Sequence, residues 1–434
     1  MKMVDLLIRG TLVPMVSENI LVDHMLVIDK GLIIDYGPFT EMAMRYQATT
    51  FLDMQERLIL PGFINGHTHV GMSLLRGVGD AAKNLQEWLH DYIFPLEKKI
   101  LNEDFVYWST MLACYEMIQS GITVFADMYF FENAAKRAIL HAGVRALLGE
   151  TIFLQKDISY AEDFCTSFFG DTQDLVAPAL APHSLYSCDA QTLIKTHRIS
   201  QQLKVPLIIH VAEQKDEVIQ LRRKTGMTPA VYMRSLDILS SNVIIAHGIH
   251  FTDADLEIIG ASGASIIYNP SSSMKLASGI ARVKTMQEYG IAVGLGTDGT
   301  ASNNSLDNFS EMKTGALLQD LCLEEYCKPL TPYEIVKLAT VDGARAIKME
   351  KKIGTLEVGK RADIISIDIH HMHQLPAYDI FSTLVYSSKA TDVQSVIIDG
   401  KIVMHNRKMI TLFDQVNKLK ERTTYYHDKI KDIK

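Results

Sequence analysis

Two histidines one residue apart, His67 and His69, stand in the stretch "PGFINGHTHVGMSLLRG" at positions 61 to 77. Imidazole serves as an acid–base group and as a metal ligand. In an extended strand, residues i and i+2 face the same side, so both rings can aim at one ion. In a turn the same pair is two polar residues and nothing more. Side chains of similar chemistry end other apolar runs: His183 after "LVAPALAP", His210 in "PLIIHVAE" with Glu213 three positions on, His247 in "NVIIAHGI" and Asp298 in "AVGLGTDG". Three imidazoles, His67, His69 and His210, with the Asp298 carboxylate suit one borderline divalent ion, zinc first and iron(II) next. A position left for water makes such a site catalytic rather than structural.

These residues converge only if the runs that carry them share a sheet. Eight short apolar runs recur between about 58 and 300, from "RLILPGFINGHTH" to "AVGLGTDG". They do not alternate apolar with polar, which is the pattern of parallel strands buried on both faces. The segments between them read as helices; "TMLACYEMIQS" and "NAAKRAILHA" each stop at a glycine, Gly121 and Gly143. Eight such alternations predict an α/β fold, a (β/α)8 barrel over residues 58–352, with a doubly wound open sheet as the alternative. Catalytic residues of a barrel lie at the C-terminal ends of its strands, where the residues above stand. Residues 1–57 and 353–434 carry shorter runs, with Lys30-Gly31 and Asp399-Gly400 as turn signals, and predict one discontinuous β-sandwich domain built from both ends. The tail "FDQVNKLKERTTYYHDKIKDIK" predicts a charged, solvent-facing helix. The cluster "HHMH" at 370–373 falls in the terminal β-domain with no carboxylate close behind it, and reads as an exposed loop.

Composition narrows the function classes. The chain has 434 residues, 47% hydrophobic and 22% charged, with a net charge of −8. A mildly acidic balance argues against nucleic acid and anionic membranes as partners. The five cysteines, Cys114, Cys165, Cys188, Cys322 and Cys327, form no C-x-x-C pair, so a reducing cytoplasm fits better than a disulfide framework. The first residues contain no apolar segment of signal-peptide form, and no run approaches the ~20 residues of a membrane span.

The motifs "PGFINGHTHVGMSLLRG", "LAPHSLYSC", "HVAEQKDEV", "AHGIHFTDADL", "NPSSSMKLASGIARV", "GLGTDGTASNN" and "GTLEVGKRADII" resemble the amidohydrolase superfamily, closest to its 5′-methylthioadenosine/S-adenosylhomocysteine deaminases. The resemblance spans nearly the whole chain. It implies metal ligands His67, His69, His210 and Asp298, a proton shuttle at Glu213, and a contact from His247 to the attacking water. It further implies substrate contacts at Glu97, His183 and Arg145, and an aromatic wall at Trp88. Trp88, Glu97 and Arg145 also have plain structural readings: core residue, solvated helix residue and ion-pair partner. Two departures, Ser273 and the segment "AAKNLQEWL", touch loops that shape a pocket rather than the metal set.

The implied reaction is hydrolytic deamination at C6 of an adenine nucleoside, with one divalent metal activating water and a homo-oligomer as the usual state of such folds. Asp298 would take the water proton and Glu213 would protonate a ring nitrogen. An arginine could pair with a homocysteine carboxylate, whereas an uncharged thioether needs apolar walls. Guanine or cytosine deamination and triazine hydrolysis on the same scaffold are the alternatives, as is a non-catalytic binding protein. No lysine ends the third or fourth run, so one metal is favoured over a carboxylated-lysine pair.

Overall fold

The computed structural model describes residues 1–82, 84–169, 174–321 and 329–433. Cys322 and Cys327 lie outside them. Eight parallel strands follow one another in sequence order around a barrel: β1 Phe63–Thr68, β2 Ile122–Tyr129, β3 Arg145–Ile152, β4 Val176–Pro182, β5 Leu207–Val211, β6 Val243–His247, β7 Ser265–Tyr268 and β8 Ala292–Leu295. The first and last strands meet through buried side chains and backbone. The Thr297 amide donates to Asn65 Oδ1 at 2.9 Å, and the Asp298 amide to the His67 carbonyl at 2.9 Å. The strands are buried along almost their whole length, as near-continuous apolar runs require. A compact cluster including Ile64, Val124, Leu147, Ile208, Ile244 and Ile267 fills the interior, and helices pack outside.

A second, mixed sheet of eight strands joins both ends of the chain. Lys2–Leu12 pairs antiparallel with Leu21–Asp29 and parallel with Tyr46–Pro61, and Tyr46–Pro61 pairs antiparallel with Ile364–Asp368. The run around Leu58–Leu60 therefore belongs to this sheet, and the first barrel strand starts only at Phe63. Pro61 and Gly62 make the crossing. Pro61 ends the outer strand, and a Cβ at Gly62 would sit 2.0 Å from Thr123 Oγ1, so only glycine passes there.

The tail helix Val416–Ile433 differs from the expectation of a solvent-facing element. Leu419, Tyr426 and Ile430 are buried, and the Tyr426 ring meets Phe105 edge-on with centroids 5.0 Å apart. Spacings of seven and four residues put the three on one face, a stripe masked in sequence by the charges between them. His370, His371 and His373 are exposed as expected, although the fold brings Asp392 to 3.0 Å from His373 Nε2. Among the described residues, no helix is long and apolar enough to cross a membrane.

Candidate active site

The polar residues gathered at the C-terminal mouth come from five strand ends of the barrel wall. His67 lies in β1 with His69 just after it, His183 follows β4, His210 lies in β5 and Glu213 just beyond it, His247 ends β6, and Asp298 follows β8. The ring centroids of His67 lie 4.8 Å from His69 and 4.9 Å from His210. Asp298 Oδ1 is 3.2 Å from His69 Nε2 and 3.6 Å from His67 Nε2. Local backbone bends aim them: Ala212, His247 and Asp298 all take left-handed conformations, with φ of 55°, 75° and 61°. Each costs about 1–3 kcal/mol and persists where the surroundings over-determine it. Close packing at Gly296 is part of this, since a Cβ there would come within 2.9 Å of the His67 amide.

The donor set fits a divalent ion. His67 is buried, and neither of its ring nitrogens makes a hydrogen bond. A buried polar atom left this way costs about 1–3 kcal/mol unless something binds it. His69 Nδ1 donates to the Met128 carbonyl at 2.6 Å, and His210 Nδ1 donates to the His183 carbonyl at 2.8 Å. With Nδ1 donating, a neutral ring presents its Nε2 lone pair to an ion, whereas without the ion His69 Nε2 faces Asp298 Oδ1 and the His69 pKa is raised. Two overlapping groups of ligand atoms are close enough to share one: His67, His69 and Asp298, and His67, His210 and His247.

Hydrogen bonding separates His247 from the others. The Asn269 amide nitrogen lies 3.3 Å from His247 Nδ1, and its orientation is fixed by a second bond to the Ile267 carbonyl at 3.4 Å. His247 Nδ1 thus accepts, and Nε2 carries the proton. The ring offers a donor to the site rather than a lone pair. Its pKa is lowered to about 4, first by burial.

Asp298 and Glu213 are pushed in opposite directions. Burial would raise Asp298, but the hydrogen bond and charge of His69, then His247 and His67, hold it well below the ordinary carboxylate range. Ser272 Oγ donates to its other oxygen at 2.5 Å. Glu213 is raised well above the ordinary range by burial and by the charges of Asp298 and Glu217. Glu213 Oε2 stands 3.8 Å from His247 Nε2, and its own amide donates to Glu217 Oε1 at 3.0 Å.

These groups form the floor of a cavity at the barrel mouth whose walls are mostly apolar and aromatic. Trp88 lies in a π-helical turn, Trp88–Ile93, and lines the cavity while its Nε1 donates to the Val78 carbonyl at 3.3 Å. Glu97, in the helix Phe94–Ile100, is buried rather than solvated. Tyr129 donates its hydroxyl to one Glu97 oxygen, and burial raises the Glu97 pKa to about 6 against the effect of that bond. His183 stacks on Phe153 at 4.5 Å, and burial holds it neutral, with a pKa of about 3.

Arg145 is the one expected contact that the structure removes from the pocket. It is the first residue of β3, at the opposite end of the barrel from the strand ends above. Its guanidinium donates to Asp363 at 2.6 and 3.2 Å, to the Asp174 carbonyl at 2.6 Å and to Asp399 at 3.3 Å. A buried cation with its donors so committed ties barrel to terminal sheet and has no reach to a substrate. Tyr129, Ser272, Asn269 and Glu217 are the site residues that sequence reasoning missed. Tyr129 directly follows the run "GITVFADM" and is the last residue of β2.

A family model described as "Amidohydrolase family" matches residues 58–403. A 5-methylthioadenosine/S-adenosylhomocysteine deaminase of Syntrophobacter fumaroxidans is 39% identical over 411 residues, covering 92% of each chain. One of Syntrophus aciditrophicus is 39% identical over 440 residues, covering 97% of this chain and 98% of its own. Among solved structures, an adenosine deaminase from Xanthomonas campestris with bound zinc superposes with a TM-score of 0.94 at 29% identity over 99% of both chains. A triazine hydrolase of Arthrobacter aurescens, at 20% identity and a TM-score of 0.88 over 97% of this chain and 99% of its own, shares the fold. The chain belongs to the amidohydrolase family.

Proposed function

We propose that this chain hydrolytically deaminates adenine nucleosides carrying a 5′ thioether, 5′-methylthioadenosine or S-adenosylhomocysteine, to the hypoxanthine nucleoside and ammonia. The relatives that match it along nearly their whole length are named for that activity. The observation that carries the reading is the split between two carboxyl groups on one floor. Burial and the charges of Asp298 and Glu217 push Glu213 well above the ordinary carboxylate range, and the imidazoles, His69 first, hold Asp298 well below it; opposed shifts of this kind let one site supply an acid and a base.

His67, His69, His210 and Asp298 would hold one divalent ion, zinc first, since the Xanthomonas campestris relative has bound zinc. Such an ion supplies a water ionised near neutral pH, with a pKa of about 7. The chain's own groups do the rest. Glu213 delivers its proton to a ring nitrogen and leaves C6 more electrophilic. Asp298 accepts the proton of the attacking water. His247, donating from Nε2, orients the oxygen that adds to C6 and steadies the charge it acquires. Asp298 then returns its proton to the exocyclic amino group, the C6–N bond breaks and ammonia leaves, while the C6 hydroxyl gives up its proton to become the carbonyl and Glu213 is reprotonated. Glu97, with one oxygen tied to Tyr129, presents the other to the ribose hydroxyls. Trp88 and Phe153 flank the nucleoside and exclude water.

Replacing Glu213→Gln keeps the shape and removes the acid. Ammonia release from 5′-methylthioadenosine should fall by about 10²–10⁴-fold with metal content unchanged. Turnover near wild type would remove the acid role. A parallel assay with guanine and chlorotriazines separates the other reactions this scaffold supports.

A further inference from the structure

We infer that the pocket selects nucleosides whose 5′ substituent is uncharged, a methylthio group rather than an amino-acid tail, because the described residues of its wall offer a carboxylate no counter-ion. The inference rests on the deaminase reading and names the substrate within it. Among the described residues that line the cavity, the carboxyl side chains are Glu97, Glu213 and Asp298, and none is lysine or arginine. The wall above them is Leu85, Leu89, Ile93, Phe94, Phe130 and Phe153. Phe130 and Phe153 stack at 6.0 Å, and Phe153 continues the stack onto His183. Arg145, the cation expected to receive a carboxylate, is bound to Asp363 and Asp399 at the far end of the barrel.

Each kind of tail meets this wall differently. A methyl on sulfur buries its apolar surface against aromatic rings, a favourable contact for a polarisable thioether. A homocysteine tail carries both a carboxylate and an ammonium; entering the same wall both lose hydration, and while the ammonium meets acidic side chains, the carboxylate gains no cationic partner among the described lining residues. Left in solvent, that tail contributes nothing to binding. Either way the amino-acid tail adds cost or no gain, while the methyl adds affinity.

The test compares three substrates of the metal-loaded wild-type enzyme by kcat and KM: 5′-methylthioadenosine, 5′-propylthioadenosine and S-adenosylhomocysteine. The propyl compound lengthens the tail without charge. The expected result is a kcat/KM for the methyl compound about tenfold or more above that for S-adenosylhomocysteine, carried mainly by KM, with the propyl compound within about threefold of the methyl one. Equal values for all three overturn the selectivity while leaving the deaminase reading standing. A propyl compound as poor as S-adenosylhomocysteine overturns the role of charge. Ammonia from none of the three overturns the deaminase reading and the selectivity with it. Phe153→Arg adds a cation that can stack on His183, and should narrow the ratio between methyl and amino-acid substrates. An unchanged ratio in a folded variant contradicts the assignment.

Discussion

Arg145 at the lower end of the barrel and His67 at the upper end are both buried polar side chains, yet one is fully hydrogen-bonded and the other makes no hydrogen bond from its ring. Arg145 holds four hydrogen bonds to Asp363, Asp174 and Asp399. His67 has none to either ring nitrogen. Around Arg145 each charge is answered in place, which is how a buried ion joins two parts of a fold. Around His67 the neighbours are other imidazoles and a carboxylate, reached through left-handed bends at His247 and Asp298. Burial alone does not distinguish a structural polar residue from a functional one; satisfaction does.

That contrast breaks first at the upper end. His67→Ala should lose the ion and lower the deamination rate by about 10³-fold or more, with the folding transition nearly unchanged. Metal analysis beside thermal unfolding reads both, and a variant that keeps a full equivalent of metal takes His67 out of the ligand set. The lower end should answer in the other currency. Arg145→Met leaves Asp363 charged and buried, so stability should drop by about 3–5 kcal/mol in urea unfolding while kcat/KM per folded molecule holds. A raised KM at unchanged stability would return Arg145 to the substrate site.

A smaller effect sharpens the upper end. Glu97 has its pKa raised to about 6, so it is protonated below that value and ionised above it. If it accepts ribose hydroxyls as a carboxylate, 1/KM should rise severalfold between pH 5 and 7 with a midpoint near 6, and Glu97→Gln should flatten the profile. A wild-type profile without that rise would leave Glu97 as a packing residue held by Tyr129.

The barrel and most of its floor were legible in the sequence because strand ends announce themselves. An apolar run followed by His or Asp marks both the end of a strand and the face its last residue meets. Arg145 was implied by the resemblance alone, beside an ion-pair reading; at the start of "RALLGETI" it stands at the N-terminal end of β3 and faces the lower mouth. Ser272 and Asn269 gave no such signal, since their partners Asp298 and His247 lie more than twenty residues away in sequence. The crossing at Pro61-Gly62 was hidden for a related reason: two strands of different sheets abut there and read as one apolar run.

The most direct measurement of the central claim is product identification with a single equivalent of zinc. Wild-type protein stripped of metal and reloaded with one zinc per chain, given 5′-methylthioadenosine, should release ammonia and the hypoxanthine nucleoside in equal amounts, and the stripped protein should release neither. Ammonia at the same rate without metal, or no hypoxanthine product from the loaded protein, would contradict the account.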